Sequence, residues 1–229
     1  MGDHTFVFIP KTKVYIRSCA KSPMESEKYE YSAELAQEYD SLVRETEDHS
    51  HEIMFGLLFK YVKKDDTLLD LGIGTGLSSH LFHQMGLKIY GIDNSEEMLH
   101  VCKEKEIAED LKLSDLGDTF PYDERKFDHI ISAGVFHFFE NLEHFFEESK
   151  RLLKRGGTLS FTVMYLKDDS VDVLERRIEG VPVFEHSQQY IERMMTKYGF
   201  HLLKSIEYQS YADPSKSRAI TYKLFVLRR

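Results

Sequence analysis

The chain has 229 residues and a mass of 26.9 kDa, enough for one large domain with an appendage. Hydrophobic residues at 41% and charged residues at 30% exclude wholesale disorder, and no apolar run reaches the roughly 18–20 residues of a membrane helix. A formal charge of −9 sets an average field that repels polyanions, so nucleic acid is not expected as a partner.

The first 50 residues are rich in tyrosine (Tyr15, Tyr29, Tyr31, Tyr39) and lack a strand–helix alternation. Within them, SAELAQEYDSLV places Leu35, Tyr39 and Leu42 on one helical face, and HEIMFGLLFKYV does the same with Ile53, Leu57, Leu58 and Tyr61. From Thr67 the pattern becomes regular. TLLDLG is a short apolar run stopping at glycine, and reads as a buried strand. Thr75 to Met85 reads as a helix with Leu77, Leu81, Phe82 and Met85 on one face and Gly86 at its C′ position. KIYGID is a second strand. Asn94 with Glu97 forms a capping-box pattern opening a helix through Met98, Leu99 and Cys102.

LKLS is a weak third strand and DHIISA a strong fourth. Asn141 to Lys154 carries Leu142, Phe145, Phe146, Ser149, Leu152 and Leu153 in helical register and ends at Gly156-Gly157. TLSFTVM is a fifth strand. Ser187 is placed to cap a helix carrying Tyr190, Ile191, Met194 and Met195, closed by Gly199. HLLKSIEY and AITYKLFVLR follow, separated by turn-like residues that suit an antiparallel hairpin. The basic C-terminal residues (Lys216, Arg218, Lys223, Arg228, Arg229) read as positive charge protecting an edge strand. Strands alternating with helices imply an α/β fold: an open, doubly wound, mostly parallel sheet with one reversed strand near the end.

In such sheets, ligands bind beyond the C-terminal ends of the strands. The first strand of the regular region delivers Asp70-Leu71-Gly72-Ile73-Gly74-Thr75-Gly76 to that place. Glycines at alternate positions let the backbone turn tightly and lie against a ligand. The next strand ends in Asp93, about 20 residues beyond the loop, where a carboxylate can accept hydrogen bonds from both ribose hydroxyls. Dinucleotide sites use G-x-G-x-x-G to seat a pyrophosphate on the helix N-terminus. Here position 77 is Leu, the pattern is G-x-G-x-G, and Asp70 stands two residues before it. An acid there suits a ligand with an ammonium group, a ribose and no phosphate, which S-adenosylmethionine is.

Four segments then resemble the class I S-adenosylmethionine-dependent methyltransferases: LLDLGIGTG, KIYGIDNSEEML, SDLGDTFPYDERKFDHIISAGVFHFF and ESKRLLKRGGTLSFTV. The resemblance covers Phe55 to Met164 well. It implies a Rossmann-like seven-stranded sheet with the last strand antiparallel in a cofactor-binding domain over 51–229, while the tyrosine-rich residues 1–50, with their amphipathic helix, read as an N-terminal helical cap or lid. It implies a methyltransferase using S-adenosyl-L-methionine, with a small-molecule acceptor as the main reading. An RNA or protein methyltransferase, or a non-catalytic binder of the cofactor, stands as the alternative.

Residue by residue, the resemblance places Gly72, Gly74, Thr75 and Gly76 along the cofactor, Asp70 near its amino group, and Asp93 and Asn94 at its ribose. Met98 packs on the adenine, Asp115 and Leu116 meet its edge (with Asp118 open as a substitute for Asp115), and Ser132 to Val135, Ser132 and Ala133 foremost, run beneath the methionine portion, where main-chain carbonyls can bind its ammonium. His137 is the candidate base at the mouth of the site, with a structural role as its rival. Tyr29, Tyr31, Tyr39 and Phe138 are the candidate lid and substrate contacts. Cys19 and Cys102 are too few for a disulfide scaffold, and the histidines lack partners at ligand spacing, so no metal is expected. An acid at position 3 argues against a signal peptide, and a cytoplasmic protein is expected.

Overall fold

The computed structural model describes residues 6–9, 12–17, 28–30, 32–178, 180–211 and 215–229, with side chains from residue 32 onward. Three short strands open the chain: β1 (Phe6–Ile9), β2 (Thr12–Arg17) and β3 (Lys28–Glu30), paired antiparallel in that order. The region before the first helix therefore contains strand, where the sequence pattern pointed only to helix. Helix α1 (Ala33–Glu45) starts at Ser32, whose hydroxyl accepts the Leu35 N–H at 3.2 Å. Helix α2 (Ser50–Leu58) follows.

The regular region then runs β4 (Thr67–Leu71), α3 (Leu77–Gln84), β5 (Lys88–Asp93), α4 (Glu96–Glu104), β6 (Asp110–Leu113) and β7 (Phe127–Ser132). It continues with α5 (Glu143–Leu152), β8 (Leu153–Leu166), β9 (Val173–Ile178), β10 (Val181–Ser187), α6 (Gln188–Tyr198), β11 (His201–Tyr211) and β12 (Ala219–Arg228). The main sheet has the order β11-β12-β8-β7-β4-β5-β6. Strands β6, β5, β4, β7 and β8 are mutually parallel, and β12 runs antiparallel to both neighbours. This is the expected doubly wound sheet with its reversed strand.

Alternation along β4 shows how the layers are built. Leu69 and Leu71 face one core, where they meet Phe145 and Phe146 of α5 and Ile191 and Met194 of α6. Leu68 faces the other, with Met54 and Leu58 of α2, Phe82 of α3 and Cys102 of α4. Truncating a ring as buried as Phe82 would cost about 3–5 kcal/mol. Helix α1 lies outside these layers. Its Ala36 and Tyr39 pack on Met98 and Val101 of α4.

Three local expectations change. The cap of α4 is Ser95, not Asn94: Ser95 is extended and its hydroxyl accepts the Met98 N–H, so the helix begins one residue later. The basic C-terminal segment is not an edge, because β12 lies between β8 and β11, and Lys223 covers the Tyr165 ring at 4.3 Å. The hairpin β9–β10 is an addition. β7 pairs with β8 as far as Phe161, and β10 takes over at Met164 on the same side, so the hairpin rises beyond the C-terminal end of the sheet. Among the described residues no helix is long and apolar enough to cross a membrane.

Candidate active site

The site grows out of the end of β4. After Leu71 the chain folds onto its neighbour: the N–H groups of Gly72 and Ile73 both donate to Ile92 O, at 2.8 and 3.0 Å. Gly74 N–H donates to Asp93 Oδ2 at 2.8 Å, and Ser95 N–H donates to Asp93 Oδ1 at 2.9 Å. One carboxylate at the end of β5 thus pins the loop on one side and the start of α4 on the other. A carboxylate accepts about four hydrogen bonds, so acceptor capacity remains for a ligand. Burial pushes the Asp93 carboxyl up, and the backbone N–H bonds oppose that rise.

Two glycines answer different needs. Gly76 is left-handed (φ 82°), and a Cβ there would stand 2.5 Å from Ile107 Cδ1 and 2.9 Å from Cys102 Sγ, so it serves packing. The same burial pushes the Cys102 thiol up to about 12, leaving it inert. Gly74 is left-handed too, but nothing lies within 4 Å of its would-be Cβ. A side chain there would stand in the space a ligand needs.

That space is a cavity of about 410 Å³, within the range of ligand pockets. Its floor includes Gly72, Gly74, Asp93, Asn94, Met98, Asp115, Leu116 and Ala133, and Tyr39 and Phe138 also line it. Asp115 rather than Asp118 faces the cavity. It turns its own loop by accepting the Gly117 N–H at 2.8 Å, while the Asp118 carbonyl accepts from His144. The side chain of Tyr29 and all of Tyr31 lie outside the described residues.

Five expected residues do not line the cavity. Asp70 is buried on the far side of β4, where it accepts a 2.7 Å bond from Ser79 Oγ, and its burial pushes the carboxyl up to about 7. Thr75 is turned to α1, donating to Asp40 Oδ1 at 2.5 Å. Gly76 packs behind the loop, as described. Ser132 ties β7 to β4 by donating to Leu71 O at 2.9 Å. His137 is buried, not at the mouth. Its ring lies 4.2 Å from that of Phe138 and 6.0 Å from that of Tyr222, and burial pushes it down to about 4. A group so weakly basic and so enclosed is not positioned to take a proton from an acceptor.

Gly134 and Val135, expected with Ser132 and Ala133 along the cofactor, line the cavity as well, whereas Phe139 and the hairpin residues Glu175, Arg177, Pro182 and Phe184 had no part in the sequence reading. Phe139 belongs to a short 3-10 turn (Phe136–Phe138) and its exit, anchored by Phe136, which stacks on Phe161 at 5.0 Å. The hairpin follows from its register. Glu175 faces Phe184 and Arg177 faces Pro182 across the strands, so all four share one face, and that face is turned to the cavity. A signal existed in VLERRI and VPVFEHS flanking Glu179-Gly180, a two-residue hairpin pattern.

Comparison with known proteins adds the following. Residues 69–161 match the family model for a methyltransferase domain. A probable 18S rRNA (guanine-N(7))-methyltransferase of Dictyostelium discoideum is 33% identical over 101 residues, covering 39% of this chain and 35% of that protein. An 18S rRNA (guanine-N(7))-methyltransferase of Schizosaccharomyces pombe is 31% identical over 134 residues, covering 58% and 48%. A ubiquinone biosynthesis O-methyltransferase of Pelagibacter ubique is 32% identical over 99 residues, covering 42% and 41%. The chain thus spans less than half the length of these relatives.

Among solved structures, an S-adenosylmethionine-dependent methyltransferase from Mesorhizobium loti superposes with a TM-score of 0.64 at 19% identity, covering 80% of this chain and 99% of that one. The rRNA relatives overturn the expectation of a small-molecule acceptor with nucleic acid set aside. Net charge is an average over the whole surface, and one nucleotide inserted into a pocket meets only the local field.

Proposed function

We propose that this chain, which belongs to the class I S-adenosylmethionine-dependent methyltransferases, methylates a ring nitrogen of a purine base in RNA. The observation that carries the proposal is the second half of the cavity. Opposite the loop and Asp93, its lining supplies Phe138, Phe139, Phe184 and Pro182 as flat apolar surfaces, with one guanidinium and one carboxylate among them. Such walls suit a planar heteroaromatic ring, whose stacking is worth about 1–3 kcal/mol per base. The rRNA guanine-N7 specificity named for several relatives supports the same class of acceptor.

S-adenosylmethionine supplies a methyl group on a sulfonium, already activated for in-line displacement. The chain's part is to hold, align and exclude water. Asp93 would hold the ribose hydroxyls with its free lone pairs, Met98 would cover the adenine, and Asp115 would meet its amino edge. Carbonyls near Ser132 and Ala133 would face the ammonium group. Alignment of this kind can supply roughly 7–11 kcal/mol. Purine N7 carries a lone pair and no proton, so its methylation asks for no general base. That agrees with a His137 enclosed away from the cavity.

The test is transfer of labelled methyl from S-adenosylmethionine to synthetic RNAs. Label should enter purine-containing RNA and disappear when the purines are replaced by their 7-deaza analogues. Undiminished labelling of the 7-deaza RNA would reject the proposal.

A further inference from the structure

The hairpin β9–β10 points to a base-reading subsite, and we infer that Glu175 selects guanine by gripping its Watson–Crick edge. This rests on the RNA reading above and adds which base is chosen and by which residue. The register places Glu175 and Arg177 two residues apart on one strand face, opposite Phe184 and Pro182 on the other strand. All four line the same cavity as Gly74 and Asp93. The hairpin therefore presents one acceptor-only group beside an aromatic ring, facing the place where the methyl group is delivered.

Arg177 leaves that acceptor available. Its Nη1 donates to Gly180 O at 2.9 Å, which pins the guanidinium to the turn, and its Nη2 stands 3.6 Å from Glu175 Oε1. That separation is an electrostatic contact beyond hydrogen-bond length, so it orients the carboxylate without consuming its lone pairs. Both side chains are about half exposed.

The chemistry of the bases does the selecting. Guanine presents two adjacent donors, N1–H and the N2 amino group, which one carboxylate can accept together. Adenine offers a donor and an acceptor on that edge, so its N1 lone pair would face the Glu175 oxygen. Inosine keeps N1–H but lacks the amino group. On the purine bicycle, N7 lies on the side away from the N1–N2 edge. A base held at that edge by the hairpin and stacked on Phe184 turns N7 inward, toward the glycine loop. One arrangement thus serves both choice of base and choice of atom. A good bidentate pair discriminates by roughly tenfold to a hundredfold.

The experiment compares methyl transfer to matched RNAs carrying guanosine, inosine or adenosine at one position, for the wild-type chain and for Glu175→Gln. Cofactor affinity is measured in parallel by calorimetry. The wild type should favour guanosine over inosine at least tenfold and over adenosine more. In Glu175→Gln the guanosine-to-inosine ratio should fall toward one, with cofactor affinity and melting temperature unchanged. A ratio that survives the substitution would overturn the role of Glu175 alone. Transfer to 7-deazaguanosine RNA, or to none of the RNAs, would overturn the RNA reading and this inference with it.

Discussion

The floor and the wall of the cavity are built by different rules. The floor is held by main chain: Gly72 and Ile73 donate to Ile92 O, and Gly74 and Ser95 share the carboxylate of Asp93. Those groups lie at or just beyond the C-terminal ends of β4 and β5, whose last residues are buried. The wall is a two-stranded hairpin that joins the sheet through three paired residues, Glu185 to Ser187 against Met164 to Leu166. Its working groups are exposed side chains. The floor is therefore preorganised at the cost of being intolerant, because each group there also holds the fold together. The wall can change what it reads without disturbing the core. Substitutions in the floor should cost stability and cofactor affinity together, and those in the wall should alter only the acceptor.

The largest effect should come from Asp93→Ala. It strands the backbone N–H groups of Ser95, which is buried, and of Gly74, which is half-buried, each costing about 1–3 kcal/mol, and removes the ribose contact. We expect a loss of about 2–4 kcal/mol in denaturant unfolding and at least a hundredfold loss of cofactor affinity by calorimetry. Loss of affinity with full stability would place Asp93 outside the framework and blur the distinction between floor and wall.

Asp70 sharpens the comparison through pH. Its carboxyl is raised from 3.8 to about 7, chiefly by burial. Between those values the unfolded chain has released the proton that the folded chain retains. Stability owed to Asp70 is therefore present in acid and falls as pH rises toward 7, levelling off above it. Asp70→Asn cannot titrate. From about pH 5 to pH 7 its stability relative to wild type should improve by about 2 kcal/mol. Urea melts across that range would show the change, and a constant difference would mean Asp70 is ionised throughout. His137, also buried, titrates the same way in both proteins and cancels.

The floor was legible in the sequence because its requirements are local. Gly74 must leave space, β4 and β5 must be apolar runs, and Asp93 must follow at a fixed distance. Those constraints act on single residue types at short spacing. Asp70 and Thr75 belong to the same motif, yet strand alternation turns Asp70 to Ser79 and the loop turns Thr75 to α1. A motif conveys that a residue is needed without conveying which side it faces. The wall was illegible for another reason. Glu175 and Arg177 read as ordinary exposed charges on a strand, and only the pairing of β10 with the far end of β8 brings them over the cavity.

Asp40 tests the border between the two regions. It belongs to α1, yet its carboxylate accepts from Thr75 Oγ1 at 2.5 Å and from Lys105 Nζ at 2.6 Å, joining the cap to the glycine loop and the end of α4. Its neighbour Tyr39 lines the cavity. Asp40→Ala should weaken cofactor binding about tenfold, the worth of one charge-assisted bond to the loop. Added salt should weaken the wild type more than the variant, because the pair with Lys105 is partly exposed. Equal affinity in both proteins would make α1 a passive cover.

The smallest effect should come from His137, the buried middle residue of the 3-10 turn at the border of floor and wall. Its Nδ1 has no hydrogen-bond partner among the described residues, and its burial holds it down to about 4. At neutral pH it is an uncharged ring packed against Phe138, whose position matters to the cavity. A base on the reaction path would contribute roughly 10²–10⁴-fold, and a packing residue far less. His137→Asn removes the imidazole while keeping a polar atom near the Nδ1 position. We expect turnover within about threefold of wild type and no change in the pH dependence of kcat above about pH 6. Should turnover fall a hundredfold and lose an ionisation near neutrality, proton removal would be part of the reaction. The acceptor would then be a group that carries a proton, and purine N7 would be excluded.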